Sequence, residues 1–460
     1  MTAPAPIAEM CSHFGECGGC AHQDWAYPRQ LEEKARTLAG YLEAIGWTAP
    51  VRVRPSPDIW HYRNKVEFSF GRVRPDGGSP EGGTLHGVSG IPCQRQGTKG
   101  APEARDAGGP GSASPALHVP GPQVPVPVGA PQPAGLVLGF KKRKRWDYTL
   151  NMRECRIFSP RAGALLEAAR TWAGRESLPA YDSKTHSGFL RHLVLREGKN
   201  TGQMMVILVA AAGGLSPEAV EGLQKSFAEA ALEACPGATV LWGENAKLAD
   251  TAVSDTLKTL SGPGYIEERM GDLVFRISPH SFFQTNSRGA QELYAVLRGW
   301  VEDSAARRVL DLYCGGGGIS LTLARSVEKV VGVEIHPDAV ADARRNALLN
   351  GIANAEFYPE KAEAFLNFGS MARFFPGESA GGGQDWTAVF DPPRSGLHPG
   401  VLKALLAIRP RFLIYVSCNP KLLPADLKAL SQCYKMDKIE AFDLFPHTDH
   451  FEAALQLSLL

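Results

Sequence analysis

The feature that most constrains this chain is a strand that runs directly into glycine. Val309-Leu310-Asp311-Leu312-Tyr313-Cys314 is followed by Gly315, Gly316, Gly317 and Gly318, and then by a helical stretch around Leu321–Ala324. An apolar run ended by residues without side chains and resumed as a helix is the opening unit of a β-α-β fold. The pattern then repeats. KVVGVEI, TAVFD and RFLIYVS read as apolar strands, with helical stretches around Ala339–Leu349 and Val401–Leu406 between them. Such alternation predicts an α/β fold with a Rossmann-like, doubly wound parallel sheet over residues 278–460.

Open α/β sheets bind ligands at the carboxyl edge of their strands. Three groups are expected there: Glu334 after VVGV, Asp391-Pro392-Pro393-Arg394 after TAVF, and Ser417-Cys418-Asn419-Pro420 after FLIYV. Glu334 stands about 20 residues past the glycine turn, the place of an acid that grips ribose hydroxyls. Taken alone, the turn could serve NAD, FAD or S-adenosylmethionine, or could simply pack. A thiol at a strand end, Cys418, is a candidate nucleophile, although free cysteines are more often buried and inert. Ahead of the last apolar strand, AALQLSLL, lies DLFPHTDHFE, residues 443–452. Glu452 is a candidate general base, with His447 and His450 as neighbours that could shift it; a solvated loop with a strand-capping Glu is the plainer reading.

The remainder of the chain is of a different kind. Its 460 residues suggest two or three domains, and 49 Lys+Arg against 48 Asp+Glu exclude a polybasic protein, so a nucleic-acid site has to be a local patch. The start, MTAPAPIAEM, has neither a basic nor an apolar signal region, and no apolar stretch is long enough to span a bilayer. A cytoplasmic protein with no membrane partner is expected, in which cysteines serve metals or catalysis rather than disulfides. Cys11, Cys17 and Cys20 cluster at residues 1–25, and a helix follows over Tyr27–Ile45, ended by Gly46. Strand texture runs from Val51 to Phe70. Residues 75–135 then hold 26 Gly or Pro in 61 positions, the composition of a disordered insertion. A hairpin around Lys141-Lys142-Arg143-Lys144-Arg145 and a mixed α+β region complete the middle of the chain.

These motifs together resemble the S-adenosylmethionine-dependent RNA uracil-5-methyltransferases: DLYCGxG, the Glu after the second strand, DPPR, SCNP, FPHTxHxE, SPHSFFQTN (Ser278 to Asn286), YRNK (Tyr62 to Lys65) and the N-terminal cysteines. The resemblance implies Cys418 as nucleophile and Glu452 as base. It implies Gln284, Tyr313, Gly315, Glu334 and Asp391 as contacts for S-adenosylmethionine. Gly318 departs from relatives that carry a polar residue there. The resemblance also implies a 4Fe–4S cluster on Cys11, Cys17, Cys20 and Cys155; four thiolates suit zinc as well, and Cys93 is a rival ligand. The cluster is assigned a structural or RNA-contacting role.

The expected organisation is a cysteine-cluster segment (1–25), a helical segment packing on the catalytic domain (26–48), a middle α+β RNA-binding domain (49–277) and the catalytic domain (278–460). The chain is expected to act as a monomer. RNA is the expected partner, through the KKRKR run beside Trp146 and through Arg63, Lys65, Arg191, His192 and Arg196. The cysteine set favours 23S rRNA over tRNA as substrate. An amino-methyltransferase also carries Asp-Pro-Pro, but follows it with an aromatic where this chain has Arg394, and needs no thiol. A catalytically dead RNA-binding relative is disfavoured by intact Cys418, Glu452 and Asp391.

Overall fold

The computed structural model describes residues 10–72, 135–211, 213–366, 374 and 386–460. The Gly/Pro-rich stretch, with Cys93, lies outside the described residues except at its last position.

The carboxyl half forms around an eight-stranded sheet. Its order is Val53–Arg54, Tyr434–Phe442, Glu452–Leu459, Phe412–Ser417, Trp386–Phe390, Arg308–Leu312, Lys329–Glu334 and Ala355–Pro359. Only Glu452–Leu459 runs against its neighbours; every other pair is parallel. Central strands covered on both faces read as unbroken apolar runs, and all five residues of Trp386–Phe390 are buried. Two strands are less legible. Ala355–Pro359 and Tyr434–Phe442 lie at or near the sheet edges with mixed burial, so polar residues interrupt their pattern. The short Val53–Arg54 adds to this sheet, with Val53 paired to Ala441, although it precedes the strand Lys65–Arg72 of the other sheet.

Helices and a hairpin close the core on both faces. Ser287–Asp303 starts at Asn286, whose side chain accepts from the Gly289 amide at 2.9 Å. That bond satisfies one of the free amides of the first turn. The helix buries Leu293, Leu297, Trp300 and Val301. The hairpin Ile266–Met270/Leu273–Ile277 packs Met270, Leu273 and Phe275 into the same core. On the other face the helix Tyr27–Glu43 buries Leu38 and Leu42 against Leu310, Phe390 and Leu413. Gly46, at φ +81°, supplies the left-handed turn expected just after it.

The middle region is a six-stranded sheet ordered Leu136–Gly139, Lys65–Arg72, Leu190–Glu197, Met204–Ala211, Thr239–Asn245 and Thr256–Ser261. Helices Ala162–Arg175 and Pro217–Ala234 pack on it through Trp172, Phe227 and Trp242, whose rings meet edge-to-face at centroid distances of 5.0 and 6.3 Å from Trp172. Removing a fully buried ring such as Trp172 costs about 3–5 kcal/mol. No helix among the described residues is long and apolar enough to cross a membrane.

Candidate active site

Strand register brings the two candidate catalytic side chains together. Ser417 pairs with Ala453 across antiparallel strands, so Cys418 and Glu452 are the next residues outward at one edge. Asp391 leaves the neighbouring strand, where Phe390 pairs with Tyr415. Glu452 is only 2% exposed, and its Oε2 has no hydrogen-bond partner. Burial pushes its carboxyl well above the usual range, the Asp391 charge pushes it further, and Arg394 opposes both. Asp391 rises to about 7 through burial, against the Gln284 amide that donates to its Oδ2 at 3.0 Å. Burial also lifts the Cys418 thiol to about 12, helped by Glu452 and Asp391 and opposed by Arg394. Two acids and a thiol therefore share one low-dielectric corner in which ionising one discourages the others.

The glycine turn lies on the same edge. Tyr313 holds φ +65°, a left-handed conformation that costs a non-glycine residue, and Gly315 and Gly317 follow at +53° and +87°. A Cβ at Gly317 would stand 3.2 Å from Ala343 Cβ. Glu334 is aimed at this turn: its Oε2 accepts from the Gly315 amide at 3.2 Å and its Oε1 from the His336 amide at 2.9 Å. Asp311, singled out above only as part of the strand, is fully buried and accepts from Ser320 Oγ at 2.5 Å, while its Oδ1 has no partner. Burial lifts it to about 7. Its signal in the sequence was one acid inside an otherwise apolar strand.

Gln284 reaches Asp391 from a loop that the middle region holds. Asn64 Nδ2 donates to the Gln284 carbonyl at 2.6 Å, and Arg196 donates to the Ser281 carbonyl at 2.6 Å. Phe282, between them, is 65% exposed beside Gly315.

The loop before Glu452 corrects one expectation. His447 does not act on Glu452. It is buried, stacks on Trp60 with centroids 3.9 Å apart, and its amide donates to Gln30 Oε1 at 2.8 Å. The loop is tied from below by Lys34, which donates to Asp443 Oδ1 at 2.6 Å and to the Phe445 carbonyl at 3.1 Å. His450 instead meets Arg394, whose guanidinium donates to its Nδ1 at 3.0 Å, so its influence on the corner passes through that cation.

A sequence model of the family described as tRNA (Uracil-5-)-methyltransferase matches residues 262–459. An uncharacterized RNA methyltransferase of Halalkalibacterium halodurans is 31% identical over 99% of this chain and 84% of its own length. A tRNA (uracil(54)-C(5))-methyltransferase of Pyrococcus horikoshii is 30% identical over 99% of this chain and 87% of its own. The chain belongs to the RNA uracil-5-methyltransferase family. A solved relative has the same architecture: the Pyrococcus abyssi tRNA (uracil-54, C5)-methyltransferase in complex with S-adenosyl-L-homocysteine, with a TM-score of 0.67 and 27% identity over 96% of this chain and 86% of that one. As a member of the family it is an S-adenosylmethionine-dependent RNA (uracil-5-)-methyltransferase with a Rossmann-like catalytic fold.

In this methyltransferase the four N-terminal-set cysteines, Cys11, Cys17, Cys20 and Cys155, line one small cavity walled by Phe14, Phe140, Met152 and Ile157. They do not form a closed ligand set: among the described residues no group of three or more His, Cys, Asp or Glu is arranged to hold a metal ion. Burial pushes the thiols up, Cys17 to about 11 and Cys20 to about 12, and Cys17 Sγ accepts from the Gly19 amide at 3.3 Å. In chemistry, four soft sulfur donors in an apolar cavity suit a thiophilic metal.

The expected RNA surface divides. Arg191 and His192 are buried and structural: Arg191 donates to the carbonyls of Asn245, Lys247 and Ala249, and His192 pairs with Asp250 at 3.1 Å. Position 191 falls at the register shift between Leu190 and His192 in a strand buried along its whole length, which a basic letter in the sequence does not reveal. The KKRKR hairpin, in contrast, stands out at the surface with Trp146 68% exposed. It is docked on the cysteine loop by the Cys17–Lys142 bridge and by the Arg143 amide donating to the Glu16 carbonyl at 2.8 Å.

Proposed function

We propose that the enzyme forms 5-methyluridine by covalent catalysis at the Cys418–Asp391–Glu452 corner. The observation that carries this reading is the register that sets Cys418 beside Glu452, one strand from Asp391. Carbon 5 of uracil is a poor nucleophile. Addition of the Cys418 sulfur to carbon 6 creates an enolate, and carbon 5 then takes the methyl group. Glu452 removes the carbon 5 proton, the carbon–sulfur bond breaks, and the thiolate leaves. Arg394, the cation that favours ionised Cys418, supports the addition. The unpartnered Oε2 of Glu452 suits a proton acceptor, since a carboxylate already saturated with donors would be a weak base. Gln284 orients Asp391 beside the reacting ring. Tyr313, Gly315 and Glu334 form the turn that holds S-adenosylmethionine, with Glu334 on the ribose. When bound, S-adenosylmethionine supplies an electrophilic methyl on a sulfonium. The target base leaves its stack to reach the corner, at a cost of a few kcal/mol.

The substrate reading is 23S rRNA, on the strength of the cysteine set, which we assign to a 4Fe–4S cluster on Cys11, Cys17, Cys20 and Cys155, with zinc as the alternative metal. The cavity shared by the four thiols, which His13 also lines, supports that assignment. The exposed hairpin with Trp146, continuous with the cysteine loop, supports an RNA surface there. A tRNA reading is favoured by the likeness to the tRNA (uracil(54)-C(5))-methyltransferase of Pyrococcus horikoshii. One experiment separates them: nucleoside mass spectrometry of purified 23S rRNA and tRNA from a deletion strain with and without the gene restored. Loss of 5-methyluridine from 23S rRNA alone is expected; loss from tRNA alone selects the second reading, and loss from neither defeats both.

A further inference from the structure

Tyr294 lies on the helix Ser287–Asp303, with its ring packed in the core against Leu293, Leu297 and Val309 and only 7% of its surface exposed. Its hydroxyl is the unexplained part. A Cβ built on Gly318 would stand 2.8 Å from Tyr294 Oη, 3.1 Å from Cε2 and 3.3 Å from Cζ. The hydroxyl therefore occupies the place where any residue but glycine at 318 would put its side chain. Around it stand Asp391, Asp311 and Glu452, whose charges all act on the phenol. These acids mark the catalytic corner on one side and the end of the strand Arg308–Leu312 on the other. Among the described residues Tyr294 Oη makes no hydrogen bond, yet it is not one of the fully enclosed unpartnered polar atoms, so the oxygen stays accessible while its ring is buried.

We propose that the Tyr294 hydroxyl is a cofactor-binding group: it reaches through the gap left by Gly318 and hydrogen-bonds the polar amino-acid end of S-adenosylmethionine at the Gly315–Gly318 turn. Position 318 is glycine because Tyr294 fills its side-chain space. The pairing is reciprocal. A side chain at 318 displaces the hydroxyl, and removal of the hydroxyl makes room for one. The inference rests on the reading that the glycine turn and Glu334 hold the cofactor.

Calorimetric titration of the full-length enzyme with S-adenosylhomocysteine, in the absence of RNA, tests it through four variants. Tyr294→Phe is expected to weaken binding roughly five- to tenfold, the loss of one hydrogen bond, with an unchanged unfolding midpoint. Gly318→Ser alone is expected to weaken it at least as much, because its Cβ collides with Oη. The double variant Tyr294→Phe with Gly318→Ser relieves the 2.8 Å contact and returns a hydroxyl from the other side, so it is expected to bind more tightly than Gly318→Ser. Wild-type affinity in Tyr294→Phe, or additive losses in the double variant, overturns the proposal. Glu334→Ala is the control for the underlying reading. If it also binds like wild type, the turn is not the cofactor site; if it alone weakens binding, the site stands and the role of Tyr294 falls.

Discussion

Two sets of sulfur atoms in this protein feel the same push and answer it differently. Burial lifts Cys418 to about 12, as it lifts Cys20 to about 12 in the N-terminal cavity. What differs is the company. Around Cys418 stand Arg394 and two carboxyls that themselves titrate, so its charge can change as protons move. Around the other set stand Phe14, Phe140, Met152, Ile157 and further thiols that oppose one another's ionisation, with Gln23 and the more distant Arg63 as the groups that favour it. A thiol among movable protons suits turnover. Thiols among hydrocarbon suit a permanent bond. The largest expected effect follows: Cys418→Ala should leave no measurable methyl incorporation into RNA while keeping S-adenosylhomocysteine affinity within about twofold. Retained turnover would erase the distinction between the two sets.

Next in size is the acid beside that sulfur. Glu452→Gln keeps shape and removes the proton acceptor, so methyl transfer should proceed and release should stall. Turnover is expected to fall roughly 10²–10⁴-fold, the usual contribution of a positioned base. A methylated RNA–enzyme adduct should survive denaturing electrophoresis. Should turnover fall without any trapped adduct, Glu452 acts before the methyl step and the order of events proposed above is wrong.

The catalytic half was largely legible because its strands are covered on both faces. FLIYV and TAVF announce themselves as apolar runs, and strand ends in such a sheet point to the ligand edge. Ala355–Pro359 was not legible, since an edge strand carries polar residues on its open side. Single letters misled where tertiary contacts decide. Arg191 looked like a phosphate ligand and is instead tied to three carbonyls. His447 looked like a partner for Glu452 and is instead a buried pin between Trp60 and Gln30. The pairing of Tyr294 with Gly318, 24 positions apart, has no local signature at all.

A middle-sized effect sharpens the contrast from the other side. Cys155→Ser should remove iron and sulfide together, from about four of each per chain, and lower the unfolding midpoint by on the order of 5 °C, because bound metal stabilises the folded state that supplies its ligands. Cys235→Ser is the matched control: that thiol is equally buried but lies outside the cavity, and its loss should leave the metal content unchanged. Equal iron loss in both variants would mean that the cavity has no special relation to the metal.

The smallest effect concerns buried acids that lie away from both sulfur sets. Asp311 is lifted to about 7 by burial, against an ordinary carboxyl near 4. A group whose folded value is raised stabilises the fold fully below the unfolded value. That contribution is lost as pH climbs through the folded value, because the unfolded chain ionises first. The window therefore runs from about pH 4 to about pH 7, and the difference amounts to at most ~4 kcal/mol. Asp311→Asn cannot titrate, and its amide can still face Ser320, so its unfolding midpoint should fall less steeply than that of wild type across this window. Asp391 and Glu452 remain in the variant and keep part of the slope, which is why the expected change is modest. A slope equal to wild type would mean that Asp311 ionises normally, and that the carboxyl at the head of the glycine turn is far better solvated than its burial implies.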